Sequence, residues 1–344
     1  MRTLDRDIEE IISDAGIDWN AFRGATFFVT GATGLIGSLV IKVLLAGAPE
    51  VKIAALVRDA ERGRRMLGDN IEFVVGDVRE PVSFSGSVDY IVHCASVTAS
   101  KYMVTNPVET LSVAVAGTEN VLRFASEQKS LKGMLYLSSM EVYGVTGQEQ
   151  NPVTEEKLGF VDLTSPRSSY PEGKRVSELL CRAYFSEYGV PVKIARLAQT
   201  FGAGIPLTDN RVSMQFARSA LSGEDIVLHT AGRSVSNFCY TADALRGLLT
   251  ILSRGEDGQA YNVCFDSESR TIAEIAELVA DKVAGGRISV VYDIPESNTY
   301  GYAPDAVMRL NSDKLRRLGW EPCVGMEEAY RRLTAYLAES RNES

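Results

Sequence analysis

Residues Thr26-Phe-Phe-Val-Thr30 run directly into Gly31-Ala-Thr33-Gly34-Leu35-Ile36-Gly37, and these into the apolar stretch Ser38-Leu-Val-Ile-Lys-Val-Leu-Leu-Ala46. The first segment reads as a short buried strand, and the last carries the apolar spacing of a helix over 35–46. Glycines between them let the chain turn tightly and let backbone amides approach a pyrophosphate, whose charge is favoured at a helix N-terminus. An ordinary turn also uses glycine. Strand before and helix after, in the first such unit of the chain, favour the cradle reading. They make Gly31, Thr33, Gly34, Leu35, Ile36 and Gly37 the candidate cradle of a dinucleotide.

Outward from this unit the pattern repeats. Strand-like apolar runs at 26–29, 53–57, 71–75, 90–93, 134–137 and 192–195 alternate with helix-like stretches at 35–46, 106–127 and 170–188. Continuously apolar strands between amphipathic helices predict an α/β fold, a Rossmann doubly wound parallel sheet covered on both faces. After residue 198 glycine and polar loops increase, with helical patches near 212–221, 239–253, 272–284 and 325–338. The expected organisation is a helical lead-in (1–24), with Leu4, Ile8, Ile11 and Ile12 at helical spacing, and a dinucleotide-binding Rossmann domain (25–198). The segment 237–265 is expected to return to that domain. Residues 199–236 and 266–344 then form a smaller C-terminal α/β substrate-binding domain.

Composition narrows the function. The chain has 344 residues and a net charge of −9, which gives no electrostatic reason to bind nucleic acid or an anionic membrane. Cys94, Cys181, Cys239, Cys264 and Cys323 are scattered and odd in number, which reads as reduced thiols of a cytoplasmic protein rather than disulfides or a metal site. The acidic start lacks an apolar signal core and no apolar run reaches membrane-spanning length, so a soluble, cytoplasmic protein is expected. Only His93 and His229 are present. His93 ends an apolar run, where a satisfied structural histidine is the simpler reading, so hydrolase triads and His-rich metal sites are disfavoured.

Tyr170-Pro-Glu-Gly-Lys174 places Tyr and Lys one helical turn apart. A tyrosine, with a pKa of about 10, needs a neighbouring cation to serve as a base at neutral pH. With 14 tyrosines in the chain, such a pair also arises by chance. Pro171 disfavours helical geometry at Tyr170 and suits only the first turn of a helix. A second element supports the pair: the run 134–137 ends in Ser138-Ser139-Met140-Glu141. There Ser139 would donate to a reacting oxygen at the sheet's carboxyl edge, while Ser138 reads as a turn contact. After the second strand, Arg58 favours the 2′-phosphate of NADP, whereas Asp59 would serve the ribose of NAD. A solvated charge run explains Arg64 and Arg65.

Taken in order, the glycine loop, Ser138-Ser-Met-Glu-Val-Tyr-Gly144, Tyr170-x-x-x-Lys174 and Leu318-Gly-Trp-Glu-Pro322 resemble the extended short-chain dehydrogenases/reductases of the epimerase/dehydratase type, over residues 20–340. Within that family, His93-Cys-Ala-Ser96, Tyr102-Met-Val-Thr-Asn-Pro107 and Tyr170-Pro-Glu-Gly-Lys-Arg175 look most like the UDP-glucuronate decarboxylase branch. The resemblance implies a nucleotide-sugar substrate, transient oxidation at sugar C4 by retained NAD, and a homodimer packed through the helices near 106–127 and 170–188. It implies Ser139, Glu141, Tyr170 and Lys174 as catalytic residues. Cofactor contacts at Arg58, Asp77, Val78, Ala95, Ser96, Tyr170 and Lys174 join those of the glycine loop. Substrate contacts are expected at Lys101, Gln199, Arg211, Arg233, Tyr240 and Arg309.

Three departures stand against the family pattern. Met140 replaces the acid of the dehydratase pair, which disfavours straightforward 4,6-dehydration. Ser236 stands where a diphosphate-clamping Arg is usual before Phe238-Cys-Tyr240-Thr-Ala-Asp243, and Gln199 replaces an Asn. Arg58 and the missing clamp keep open an NADP-dependent reductase of a non-nucleotide carbonyl. A non-catalytic dinucleotide sensor has no need of Ser139, Tyr170 and Lys174 together.

Overall fold

A computed structural model describes residues 1–48, 50–295 and 305–341. Strands follow in chain order as β1 (Thr26–Thr30), β2 (Lys52–Val57), β3 (Glu72–Val75), β4 (Tyr90–His93), β5 (Gly133–Ser139), β6 (Val192–Leu197), β7 (Gln199–Phe201), β8 (Ile226–Leu228), β9 (Val235–Tyr240), β10 (Ala260–Val263), β11 (Ser269–Thr271), β12 (Val290–Tyr292) and β13 (Val307–Met308). The helices are α1 (Thr3–Ile12), α2 (Trp19–Phe22), α3 (Leu35–Gly47), α4 (Ala60–Leu67), α5 (Ser100–Thr105), α6 (Pro107–Glu127), α7 (Ser169–Tyr188), α8 (Val212–Ser222), α9 (Thr241–Arg254), α10 (Ile272–Leu278), α11 (Asp313–Arg316) and α12 (Met326–Arg341).

Seven strands pair in the order β3-β2-β1-β4-β5-β6-β10, all parallel. This is the doubly wound sheet that the alternating apolar runs predict. Successive residues of a strand point to opposite faces, so each strand feeds two cores. Phe27, Val29, Leu135 and Leu137 join α3 and α9 on one face; Phe28, Ile91, Met134 and Tyr136 join α6 and α7 on the other. The strand order reverses between β1 and β4, which opens a crevice at their carboxyl ends, the place where such sheets bind ligands.

Beyond β6 the chain builds a second sheet, β11-β9-β13 with β7 alongside β9, and a two-stranded pair, β8 with β12. Between these pieces β10 returns to pair with β6. Three local expectations change. Residues 235–240, partly read as helix, are strand β9, and α9 starts at Thr241. The stretch 272–284 is α-helical only to Leu278 and continues as a π-helical turn, Val279–Val283. Helices α4 and α5 have no counterpart in the sequence reading. Helix α4 is mostly charged and turns only Gly63 fully inward, against Phe73.

Candidate active site

The glycine loop has the shape its residues require. Gly31 takes φ 64°, open to glycine at no steric cost. A Cβ there would stand 2.7 Å from the Ala95 nitrogen, because β1 and β4 run side by side. A Cβ on Gly37 would collide with the Gly31 carbonyl oxygen. Gly34 is the N-cap of α3 and brings no side-chain cap, so the first-turn amides of Leu35 and Ile36 face outward for an anionic ligand. This cradle fits a dinucleotide pyrophosphate.

Its neighbours are fixed by hydrogen bonds. Thr30 Oγ1 lies 2.6 Å from His93 Nδ1 and accepts from the Ala95 amide at 3.2 Å. His93 Nε2 lies 3.2 Å from Thr118 Oγ1. Burial lowers the His93 pKa to about 3, so this histidine is neutral and structural. At the outer end of the crevice, Arg79 and, more weakly, Arg58 hold the Asp77 carboxyl below its ordinary range. Asp59 caps α4 by accepting from the Arg62 amide at 3.0 Å, while Arg58 is exposed. The Val78 carbonyl accepts from Asn120 Nδ2 at 3.1 Å.

At the crevice, β5 and α7 bring together the residues that the sequence puts forward as reacting groups. Helix α7 begins at Ser169, so Pro171 lies in its first turn and leaves Tyr170 helical, with Lys174 one turn on. Both are buried. Lys174 Nζ donates to the Leu137 carbonyl of β5 at 2.6 Å and lies 5.9 Å from the Tyr170 ring centre. Burial lowers the Lys174 pKa to about 8. Tyr170 is pushed up to about 12, by burial first and by the Glu141 charge next; a hydrogen bond with Ser139 and the Arg167 charge act the other way. Ser139 Oγ also accepts from the Glu141 amide at 3.2 Å, fixing the turn Met140–Tyr143 that carries the carboxylate.

Ser138 is structural: it donates to Glu178 at 2.5 Å, within a buried ion pair between Glu178 and Arg196 at 2.6 Å. Lys101 is exposed on α5, which Ser169 Oγ ties to the start of α7 through the Met103 carbonyl at 3.4 Å. Gln199 is exposed at the start of β7; Arg211 sits beside it, ion-paired to Asp209 at 3.0 Å and donating to the Thr200 carbonyl at 3.2 Å. Arg233 and Arg309 are exposed. Arg309 spends its backbone amide on Asn151, at 2.6 Å.

Tyr240 is not in this group. Its side chain is buried, its hydroxyl donates to Asp7 of α1 at 2.6 Å, and the Arg332 guanidinium lies 5.7 Å from its ring centre. Burial and the bond to Asp7 make Tyr240 a core residue that ties β9 to the N-terminal helix.

Two cations escape the sequence reading. Arg167 lies in the turn before α7 with Nη2 2.7 Å from both carboxylate oxygens of Glu141. Arg270 of β11 stands directly across from Ser236 of β9, and its buried Nε lacks a hydrogen-bond partner. Directly opposed residues share a sheet face. Met308, opposite Ser236 on the other side, packs into the cluster that includes Met140, next to Glu141. Arg270 therefore stands on the face of the small sheet that meets the reacting groups.

Comparison with known proteins agrees with this geometry. A model of the NAD dependent epimerase/dehydratase family matches residues 27–264. UDP-glucuronic acid decarboxylase 1 of Danio rerio is 32% identical over 319 residues, 90% of this chain and 72% of that protein. UDP-glucuronic acid decarboxylase 6 of Arabidopsis thaliana is 31% identical over 305 residues, 87% of this chain and 85% of that protein. Among solved structures, an epimerase of Methanothermobacter thermautotrophicus shares the fold with a TM-score of 0.79 at 24% identity, over 94% of this chain and 95% of that one. The dTDP-glucose 4,6-dehydratase DesIV of Streptomyces venezuelae, crystallised with NAD, gives 0.73 at 25% identity, over 92% and 98%. The lean of Arg58 toward a 2′-phosphate is thereby set aside, and the chain belongs to the NAD dependent epimerase/dehydratase family of enzymes.

Proposed function

We propose that the chain oxidises a nucleotide-linked hexuronic acid at C4, releases its carboxyl group as CO2, and returns the sugar to its original oxidation level at C4. The observation that carries this reading is the grouping of Ser139, Tyr170 and Lys174 beside the glycine cradle, with Glu141 retained and Met140 next to it. A thioether cannot transfer a proton, so the paired acid and base of water elimination are not both present. The decarboxylase relatives, similar over most of the chain, support the same choice.

When bound, NAD supplies the hydride acceptor and donor and a positive ring near the base. Tyr170 takes the proton of the C4 hydroxyl, and Ser139 donates to the same oxygen. With a ketone at C4, the C5–C6 bond breaks, its electrons pass into the C4–C5 enolate, and CO2 leaves. C5 then takes a proton from water, and Tyr170 returns its proton to the C4 oxygen as the carbonyl is reduced, so no net redox change remains. Lys174 orients Tyr170 from the β5 carbonyl. Gln199, Arg211, Arg233 and Arg309, in the regions 199–236 and 266–344 that we read as the substrate-binding half, stand with Lys101 of α5 as the substrate-facing set. Arg270 meets the departure at Ser236 by presenting a guanidinium to a diphosphate from the neighbouring strand.

We read the protein as a cytoplasmic homodimer. The outer faces of α6 and α7 expose Val108, Leu111, Val176 and Leu179, a shared apolar surface suited to burial against a second copy. All five cysteines are unpaired, and no helix among the described residues is long and apolar enough to cross a membrane. Mass spectrometry of small molecules released from freshly purified protein tests the reading. NAD, alone or with a uridine nucleotide sugar, supports it. NADP, with consumption of NADPH on simple carbonyls, replaces it with a reductase.

A further inference from the structure

Arg167 touches both sides of the reacting centre. Its Nη2 holds the Glu141 carboxylate at 2.7 Å, and its guanidinium carbon lies 5.5 Å from the centre of the Tyr170 ring. Lys174, the cation that the sequence puts forward as the partner of the phenolate, is committed to the Leu137 carbonyl at 2.6 Å. Two cations thus flank the Tyr170 ring, Lys174 with Nζ 5.9 Å from its centre and Arg167, which also pairs with the Glu141 carboxylate.

We propose that Arg167 is a positioning residue for the reaction: by pairing with Glu141 and lying against the Tyr170 ring, it balances the carboxylate's charge so that Tyr170 can ionise beside it. The inference rests on the reading of Tyr170 as the base and deepens it. A carboxylate next to a buried phenol opposes the phenolate, and burial opposes it further. The groups facing Tyr170 are Ser139 and Glu141 from the end of β5 and its turn, Tyr136 from β5, Arg167 from the turn before α7, and Lys174 from α7 itself. Among them Ser139 and Arg167 favour ionisation, and Glu141 resists it. A guanidinium keeps its charge at any working pH, whereas burial lowers the Lys174 pKa to about 8.

The hydrogen bonds of Arg167 separate this role from that of a strut. Arg175, four residues into the same helix from Pro171, spends all three nitrogens: Nε on the Val142 carbonyl at 2.7 Å, Nη1 on Glu172 at 2.9 Å and Nη2 on the Gly159 carbonyl at 2.8 Å. Arg167 ties its Nη2 to Glu141, and its Nη1 is buried without a partner. Leaving a buried donor unmet is costly, and the side chain retains that arrangement beside the base.

The test uses NAD-loaded protein and follows the ultraviolet band of the Tyr170 phenolate against pH, each protein read against its own Tyr170→Phe counterpart. Arg167→Met should move the ionisation to higher pH; Arg167→Gln, which keeps a hydrogen bond to Glu141 without the charge, should do the same and serves if the Met variant does not fold. Arg167→Lys should stay near the parent. Adding Glu141→Gln to Arg167→Met should bring the ionisation back toward lower pH. On UDP-glucuronic acid, Arg167→Met should lose about tenfold in kcat at neutral pH with KM changed by less than about threefold. Ionisation at the parent's pH in both charge-deleting variants, or no return in the double variant, overturns the assignment. The titration needs no substrate, so failure of every protein to turn over UDP-glucuronic acid counts against the proposed function and leaves the Arg167 result standing.

Discussion

Tyr170 is a phenol that its own surroundings keep protonated: buried, beside a carboxylate, with its pKa pushed up to about 12 before any cofactor charge is added. A base must lose its proton, so kcat/KM of the holoenzyme is expected to rise with pH through the Tyr170 ionisation, and a flat profile would remove Tyr170 from the rate-determining proton transfer. Tyr170→Phe should lower turnover by about 100-fold or more while the protein still copurifies with NAD; normal turnover would contradict its role. Lys174 carries a different consequence. Burial lowers its pKa from 10.5 to about 8, so the ammonium destabilises the fold at neutral pH. As pH rises from about 8 to about 10.5, the folded state has already lost this proton while the unfolded state still holds it, and the penalty disappears. Lys174→Met should therefore be inactive yet more stable at neutral pH by about 1–3 kcal/mol, a gain that fades toward pH 10.5 in denaturant titrations. Equal stability at all pH values would place Lys174 in better-solvated surroundings. Tyr170, Lys174 and Ser139 are legible in the sequence because their chemistry follows from a helical turn's spacing and a strand's end. Arg167 is not, since its meaning depends on Glu141, 26 residues earlier, across a turn whose path no local pattern specifies.

Among the elements, the parallel strands are the most legible. Strands covered on both faces must be apolar over most of their length, as 27–29 of β1, 90–92 of β4 and 134–137 of β5 are. The strands of the small sheets have two to six residues, too short for a period to register, and their positions depend on pairing with distant segments. Cys239 and Tyr240, apolar and adjacent to a helical run, read as the start of α9 and instead end strand β9. The glycine loop is an element with no slack. Gly37→Ala sets a methyl group on the Gly31 carbonyl, and either the strand-to-helix turn or α3 must move. The expected outcome is loss of bound NAD with a stability cost of about 1–3 kcal/mol, checked by cofactor content and thermal unfolding. Retained NAD would show that the loop tolerates a different path.

The molecule as a whole is closed by its two ends. Asp7 of α1 accepts from Tyr240 of β9 at 2.6 Å and pairs with Arg332 of α12 at 2.8 Å, so the lead-in helix joins the small sheet to the last helix. No sequence period announces this clasp, which is why Tyr240 reads as a site residue until the fold is seen. Tyr240→Phe is expected to cost about 1–3 kcal/mol of stability, since it removes a hydrogen bond to a buried charged group. The KM for the nucleotide sugar should not change, and a raised KM with unchanged stability would return Tyr240 to the substrate site. The most direct measurement is to give NAD-loaded protein UDP-glucuronic acid labelled at its carboxyl carbon and follow the label by NMR. Labelled CO2 and an unlabelled UDP-pentose, with the bound NAD returned to its starting state, are predicted. Retention of the label in a UDP-hexuronic acid epimer, or stoichiometric consumption of a reduced cofactor, would contradict the account.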